Sequence, residues 1–180
     1  MNQLGFDSDF DYGTGLVKYV HPDLEIQFLT PALGQVKDTP YEIKSLNINA
    51  EGLAYMKMLQ DYKFTMTYKG VSIRLPEPEA YTLHKALISS KRKHPAKKEK
   101  DLMAAISIGE LCLEYETRRD RMKTIYVQLP KKWQRTISSE VKQLSPEILS
   151  FLTAAVSRWV FLTFFNAPEA EQRKIRFITF

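Results

Sequence analysis

The spacing of apolar positions changes near Pro78. Before it, the residues of 24–29 alternate between apolar side chains facing one way and mostly polar ones facing the other, which is the period of a half-buried strand. After it, apolar residues recur at helical spacing, as at Ala80, Leu83 and Leu87. Strands therefore come first and helices after. This order predicts an α+β fold, a partial mixed sheet followed by a helical C-terminal lobe.

Turn signals divide the first part into short elements. His21-Pro22-Asp23 and Lys69-Gly70 are typical of tight connections. We expect residues 1–75 to form an α/β region and residues 76–180 a helical lobe packed on it, as a second domain or within a single one. Strands are predicted at 14–20, 24–29, 63–68 and 71–75, with a short helix at 50–60.

Proline and serine mark the starts of the later helices. Ser145-Pro146-Glu147 combines a capping hydroxyl, a first-turn proline and an acid that favours a helix N-terminus. The predicted helices begin at Pro78, at about 98, at Pro130 and at Ser145. The second is expected to end near 115 and the last near 165. Residues 125–129 favour a short extended piece, and residues 174–180 favour a strand or ordered extension.

Charge adds one feature to this outline. The chain of 180 residues carries a modest net charge of +5, but residues 91–100 hold six cations against Glu99 alone. Such a run attracts phosphate groups, although a solvated linker is an equally simple interpretation. No secretory signal is visible, and Arg158 interrupts the apolar stretch 148–165. We therefore expect a cytoplasmic protein without a membrane partner.

Candidate site chemistry gathers around this basic run. Lys85 and Arg92 are seven residues apart, so they share one face of the predicted helix. A lysine point charge beside a planar guanidinium suits the phosphates of a triphosphate or a nucleic acid. Asp101 stands at the start of the next helix, where it either orients these cations or only favours the helix N-terminus. His84 is a further phosphate donor or a packed histidine, and Lys100 adds a cation.

Several short motifs, in this order and spacing, are similar to those of a known family. Residues from about 4 to 144 resemble the C-terminal two-thirds of bacterial nucleotidyltransferase-fold proteins of the GSU2403 type, and distantly the nucleotidyltransferase toxins of abortive-infection systems. The motifs are Leu4-Gly5-Phe6, Phe28-Leu29-Thr30-Pro31, Leu75-Pro76-Glu77-Pro78, Leu83-His84-Lys85 with Arg92, Lys100-Asp101-Leu102, and Trp133 with its helix.

The resemblance implies magnesium-dependent nucleotidyl transfer, in which three carboxylates hold two Mg²⁺ ions. The Gly-Ser turn and Asp-x-Asp pair of the family are expected upstream of Leu4, and the chain lacks them. Asp7, Asp9 and Asp11 are interpreted as an acidic loop before a strand. Where the family has its third acid this chain has Gln27, so Glu25, on the same strand face, becomes the candidate catalytic and metal-binding residue.

Two hypotheses remain open. In the first, the chain is a nucleotidyltransferase-like protein that is incomplete or inactive by itself, with an open sheet edge covered by a second copy or a complementing chain. In the second, it is a non-catalytic module that binds nucleotide, nucleic acid or another protein through the surface of residues 85–100.

Overall fold

The computed structural model describes residues 5–32, 39–142 and 144–154. The chain packs as two compact units, Met1–Arg74 and Leu75–Phe180. Small sheets make up the first and helices the second. The predicted α+β class is confirmed.

Two three-stranded sheets form most of the first unit. In one, β2 lies between β1 and β3 and is antiparallel to both; in the other, β6 lies between β4, its parallel neighbour, and β5, its antiparallel one. A 3₁₀ helix at Lys44–Leu46 joins β5 to β6. The elements are β1 (Asp7–Phe10), β2 (Val17–His21), β3 (Leu24–Gln27), β4 (Leu29–Pro31), β5 (Tyr41–Ile43), β6 (Ile48–Leu53) and α1 (Met56–Asp61).

The helix predicted over 50–60 is wrong in its first half. Residues 50–53 belong to β6, which is paired on both sides, and only Met56–Asp61 is helical. Gly52 explains why a strand fits here, since a Cβ at this position would lie 2.5 Å from the Tyr41 ring on the neighbouring strand. A glycine inside a strand commonly marks such a close approach.

The acidic loop predicted at residues 7–11 is also wrong for most of its length. Asp7–Phe10 forms β1, in which Asp9 stands opposite Lys18 of β2. All four residues of β1 are exposed, so the strand tolerates acidic side chains. Only Asp11 lies in the following turn, where its carboxylate accepts hydrogen bonds from the backbone N–H groups of Gly13 and Thr14. These bonds hold its pKa below the ordinary value.

The predicted hairpin is confirmed. It consists of β7 (Lys63–Tyr68) and β8 (Val71–Pro76), which form a separate two-stranded sheet. Lys69 and Gly70 both have positive φ, 48° and 79°. Two successive residues of this kind make the type I′ turn, whose twist matches that of the strands it joins.

The second unit is built around α2. This helix packs against α3, α4 and α5, and its predicted stripe of Ala80, Leu83 and Leu87 is fully buried. The helices are α2 (Pro78–Ser89), α3 (Pro95–Glu114), α4 (Glu116–Gln128), α5 (Lys131–Val141) and a helical segment at residues 146–154, here called α6.

Two predictions for this unit have different outcomes. The extended piece at 125–129 is wrong, because residues 125–128 complete α4. The cap at Ser145 is confirmed, since its hydroxyl accepts the N–H of Ile148 at 3.4 Å. The remainder of that helix and the segment 174–180 lie outside the described residues. Within the described ranges, none of the helices combines the length and apolar character needed to cross a membrane.

Cys112 gives a direct test of the helical packing. Its thiol is fully buried, and burial, reinforced by the charge of Glu79, raises its pKa to about 11. At pH 8 only about a thousandth of such a thiol is ionised, and the thiolate is the reactive form. We expect the folded protein to leave Ellman's reagent unreacted over minutes and the denatured protein to react at once. Rapid reaction of the folded protein would contradict this packing of α3.

Candidate phosphate-binding site

The turn between α2 and α3 positions the basic residues. The hydroxyls of Ser89 and Ser90 donate hydrogen bonds to the carbonyls of Ala86 and Leu87, both at 2.8 Å. The N–H of Arg92 donates to the carbonyl of Ser89 at 3.1 Å, which extends the last turn of the helix. α3 then starts with Pro95 in its first turn, where the missing N–H has no consequence. This local geometry returns Arg92 to the side of α2 that carries Lys85.

Asp101 joins the two cations into a cluster. One carboxylate oxygen, Oδ1, accepts from Lys85 Nζ at 2.6 Å, and the other, Oδ2, accepts from Arg92 Nε at 2.6 Å. The Asp101 side chain is only 5% exposed, whereas those of Lys85 and Arg92 are 22% and 26% exposed. The buried acid thus holds two cations that reach the surface. Of the two alternatives for Asp101, the geometry matches the one in which it pairs with both cations. We call the three residues the Asp101 cluster.

Two opposing effects set the charge of Asp101. Burial by itself raises its pKa, but the hydrogen bonds from Lys85 and Arg92, together with their positive charges, outweigh burial and leave the pKa below the ordinary value. Asp101 is therefore ionised at neutral pH. With one anion and two cations, the cluster carries a net charge of +1 at its exposed end.

The cluster keeps donors for a ligand. Arg92 uses only its Nε for Asp101, so among the described residues its two Nη groups make no hydrogen bond. Lys85 Nζ also lies 5.4 Å from the centre of the Tyr81 ring, a cation–π distance. Two parallel N–H groups on a guanidinium that is already fixed match two oxygens of a phosphate.

Exposed cations flank the cluster along the sequence. The side chains of Lys91, Lys97 and Lys100 are exposed, so Lys100 contributes charge beside Asp101. Lys98 is bound to Glu140 of α5 at 2.9 Å, and it therefore stabilises the helix packing instead. The surface of residues 85–100 is positive mainly through the cluster and these three lysines.

His84 is placed elsewhere. Only 2% of it is exposed, whereas Lys85 and Arg92 reach the surface. The two neighbours differ because successive residues of a helix point about 100° apart, which turns His84 towards the packed helices. Of the two interpretations of His84, the packed histidine matches its position, and its side chain does not join those of Lys85 and Arg92 at the surface.

Glu25 does not fit a magnesium site. It lies on β3 and its carboxylate is bound to Lys18 of β2 at 2.9 Å, with half of the side chain exposed. Gln27 donates from its amide to Glu51 of β6 at 2.6 Å. Within the described residues, no three acidic, histidine or cysteine side chains lie close enough together to hold a metal ion.

Two ion pairs that sequence reasoning missed link α4 to the start of α2. Arg121 donates to both carboxylate oxygens of Glu77, at 2.6 and 2.8 Å, and Arg118 donates to the buried Glu79 at 3.1 Å. The sequence shows two acids at a helix start and two arginines three apart further along, but it does not show that the two sets meet. These pairs fix the end of α2 opposite to the cluster.

The chain is similar to one solved structure and to one family of proteins. A solved structure similar to this chain is that of an antigenic nucleotidyltransferase-like protein from Paracoccidioides brasiliensis, with 18% sequence identity and a TM-score of 0.42 over 83% of this chain and 61% of that one. This chain thus spans about three-fifths of that protein's length. No protein of curated function matches the sequence. A family model described as nucleotidyltransferase matches residues 7–126. Since that match covers well over half of the chain, the protein belongs to this nucleotidyltransferase family.

Proposed function

We propose that this protein is nucleotidyltransferase-like and that its helical unit binds the phosphates of a nucleoside triphosphate at the turn between α2 and α3. One observation carries the proposal. Asp101, itself buried, fixes Lys85 and Arg92 side by side. Among the described residues, the two Nη groups of Arg92 make no hydrogen bond. A solvated lysine run would not need such a buried support.

The support matters because long side chains lose rotamer freedom when they bind a ligand. That ordering costs about 0.5–1.5 kcal/mol for each flexible side chain that binding immobilises. Here Asp101 has ordered both cations before the ligand arrives. A triphosphate then meets a fixed fork and a fixed point charge, with Lys100 adding to the local potential.

The same proposal covers the reaction that the family resemblance implies. The likeness to proteins of the GSU2403 type and to abortive-infection toxins implies Mg²⁺-dependent transfer, with Glu25 as a metal carboxylate. We propose instead that this chain alone does not complete the transfer, because Glu25 is paired with Lys18 and the described residues contain no group of three acidic, histidine or cysteine side chains that could hold a metal ion. With an α-labelled nucleoside triphosphate and Mg²⁺, we expect no label on RNA or protein. Transfer that Glu25→Ala abolishes would contradict this part alone.

Replacing Arg92 tests the phosphate site. We expect Arg92→Ala to weaken ATP binding tenfold or more, because a charged hydrogen-bond donor is worth about 1.5–3 kcal/mol and its loss leaves Asp101 less neutralised. Arg92→Lys keeps the charge but loses the planar guanidinium, so we expect its ATP affinity to lie between those of the wild type and Arg92→Ala. Calorimetric titration with ATP measures the affinities.

The matched control is Lys132→Ala on α5. Lys132 is exposed, and the change removes the same charge at a position outside the cluster. We expect it to leave ATP binding within about twofold. Equal losses in Arg92→Ala and Lys132→Ala would show that only net charge matters, and would overturn the site. Melting curves of the same samples show whether each variant is folded.

A second candidate function rests on the exposed Lys91, Lys97 and Lys100. In it, the chain is a non-catalytic module that binds nucleic acid through residues 85–100, alone or with a second copy or a complementing chain. Binding would then fall steeply with salt, in proportion to the number of phosphates contacted. A lysine triple variant that loses oligonucleotide binding but keeps ATP binding would favour this function over the first.

A further inference from the structure

The outer face of α3 carries a line of exposed side chains. The buried residues of this helix, such as Ala105 and Cys112, lie on its inner side. On the outer side Met103, Ser107 and Leu111 follow one another at intervals of four residues, so they lie along one line. Met103 and Leu111 are 54% and 51% exposed, and Ser107 is exposed as well. Large apolar side chains lined up in this way suit contact with another helix.

The charges along α3 have the wrong sign for the helix itself. Lys97 lies in the first turn, which has no acidic residue, and the last turn has no basic one. The helix dipole favours the reverse, acids at the N-terminus and bases at the C-terminus. On the outer face, Lys100 lies about one turn before Met103 and Glu114 about one turn after Leu111, and both charged residues are exposed. These charges suit a partner that brings the opposite pattern.

A second copy of α3, running in the opposite direction, has that pattern. When two α3 helices pair about a two-fold axis at Ser107, residues equally far from position 107 on either side face each other. Lys100 then meets Glu114 of the other copy, Met103 meets Leu111, and each contact occurs twice. A parallel pair would instead set Lys100 against Lys100 and Glu114 against Glu114. Charge therefore selects the antiparallel pair.

The small side chain at the centre allows the two helices to approach each other. Packed helix axes lie about 8–10 Å apart, depending on the side chains between them, and Cα atoms lie about 2.3 Å from their own axis. The Cα atoms of the two Ser107 residues therefore come within about 6 Å of each other. A serine leaves room for this approach, and the contacts between Met103 and Leu111 flank it on both sides.

We propose that the outer face of α3 is a dimerisation surface, on which a second copy of this chain binds antiparallel about Ser107. The dimer is weak, because one helix from each copy buries less than the roughly 800 Å² per partner of a standard interface. We expect a dissociation constant on the order of 10–100 µM. The surface belongs to the helical unit and not to a sheet edge, and the proposal stands without the proposed phosphate site.

Cysteine cross-linking tests the pairing and its register. The native Cys112 is buried, so an introduced thiol reacts alone when diamide is the oxidant. We expect Ser107→Cys to form an intermolecular disulfide, since the facing Cα atoms lie within disulfide reach. Met103→Cys and Leu111→Cys should each cross-link poorly alone and efficiently when the two variants are mixed. The control is Thr124→Cys, at an exposed position of α4, which should remain a monomer on a non-reducing gel.

Charge reversal tests the ends of the face. In sedimentation equilibrium, Lys100→Glu and Glu114→Lys should each weaken the dimer about tenfold or more, because each sets like charges opposite each other twice. Lys100→Glu/Glu114→Lys restores opposite charges, so its dissociation constant should lie within about threefold of the wild-type value. Lys132→Glu, at an exposed position of α5, makes the same change in net charge as Lys100→Glu. It should alter the constant less than about twofold.

Three results would overturn the proposal. One is a wild type that stays monomeric at several times the expected dissociation constant, which would leave this face to a different protein. Another is Met103→Cys that cross-links as well alone as with Leu111→Cys, which would exclude the antiparallel register. The third is a double charge variant that dimerises no better than the single ones. Melting curves show whether each variant is folded, and a folding defect cannot imitate the recovery expected of the double variant.

Discussion

Asp101→Ala is expected to lower the free energy of unfolding by about 3 kcal/mol at neutral pH. Removing one partner of a buried ion pair typically costs 3–5 kcal/mol, because the remaining charge is left uncompensated. The lower end applies here, since Lys85 and Arg92 are about a quarter exposed and can turn to water. Urea unfolding followed by circular dichroism measures the difference. The control is Glu99→Ala, an exposed acid two residues away, for which we expect less than about 0.5 kcal/mol.

The difference in unfolding free energy between the wild type and Asp101→Ala is also expected to depend on pH. The folded pKa of Asp101 lies below the ordinary value of 3.8, so the unfolded chain takes up the proton first as the solution is acidified. The stabilisation is complete above that ordinary value and is lost as the pH falls through the folded pKa. The gap between wild type and Asp101→Ala should therefore be constant from pH 7 to about 5 and close below about 4. A gap that stays constant into acid would show that Asp101 stabilises the protein by packing alone.

The Asp101 cluster could be named from the sequence as one of two alternatives because its parts lie close along the chain. Lys85 and Arg92 share a face through the helical period, and one short turn returns the chain to Asp101. The pairs Glu77–Arg121 and Glu79–Arg118 obey the same physics, but about 40 residues separate the partners. Their contact depends on how α4 packs against α2, which local spacing does not contain. The burial of His84 depends on packing in the same way.

The sheets show a related limit. The alternation of 24–29 and the turn of the β7–β8 hairpin are local signals. The hairpin occurs where the pattern predicts it, but the strand predicted at 24–29 is divided, since β3 ends at Gln27 and Leu29 begins β4 in the other sheet. In β6, by contrast, Ala50-Glu51-Gly52-Leu53 has no strand alternation of its own. It becomes a strand because Ala50 pairs with β5 and residues 51–53 pair with β4. The same pairing brings Glu51 to Gln27, a contact that the sequence gives no reason to expect.

Residues 125–129 show how composition misleads over a short window. Ile125, Tyr126 and Val127 are β-branched or aromatic, and such residues favour strands. In a strand, Ile125 and Val127 would share one face and Tyr126 would take the other. In α4, Ile125 and Tyr126 are buried together with Met122 one turn earlier, while Val127 is only half-buried. Burial at i, i+3 and i+4 is the helical pattern.

This difference makes Ile125→Ala the second large effect that we expect. Ile125 has no exposed surface, so the variant should lose about 3 kcal/mol, within the 2–5 kcal/mol typical of isoleucine truncation in a core. Val127→Ala should lose about 1 kcal/mol or less, because half-burial leaves less apolar surface to forfeit. A strand would make the two losses similar, since both side chains would face the core. Urea unfolding of the two variants, with the exposed Thr124→Ala as control, decides between these outcomes: comparable losses at Ile125 and Val127 would contradict helix α4, and a loss at Ile125 alone would support it.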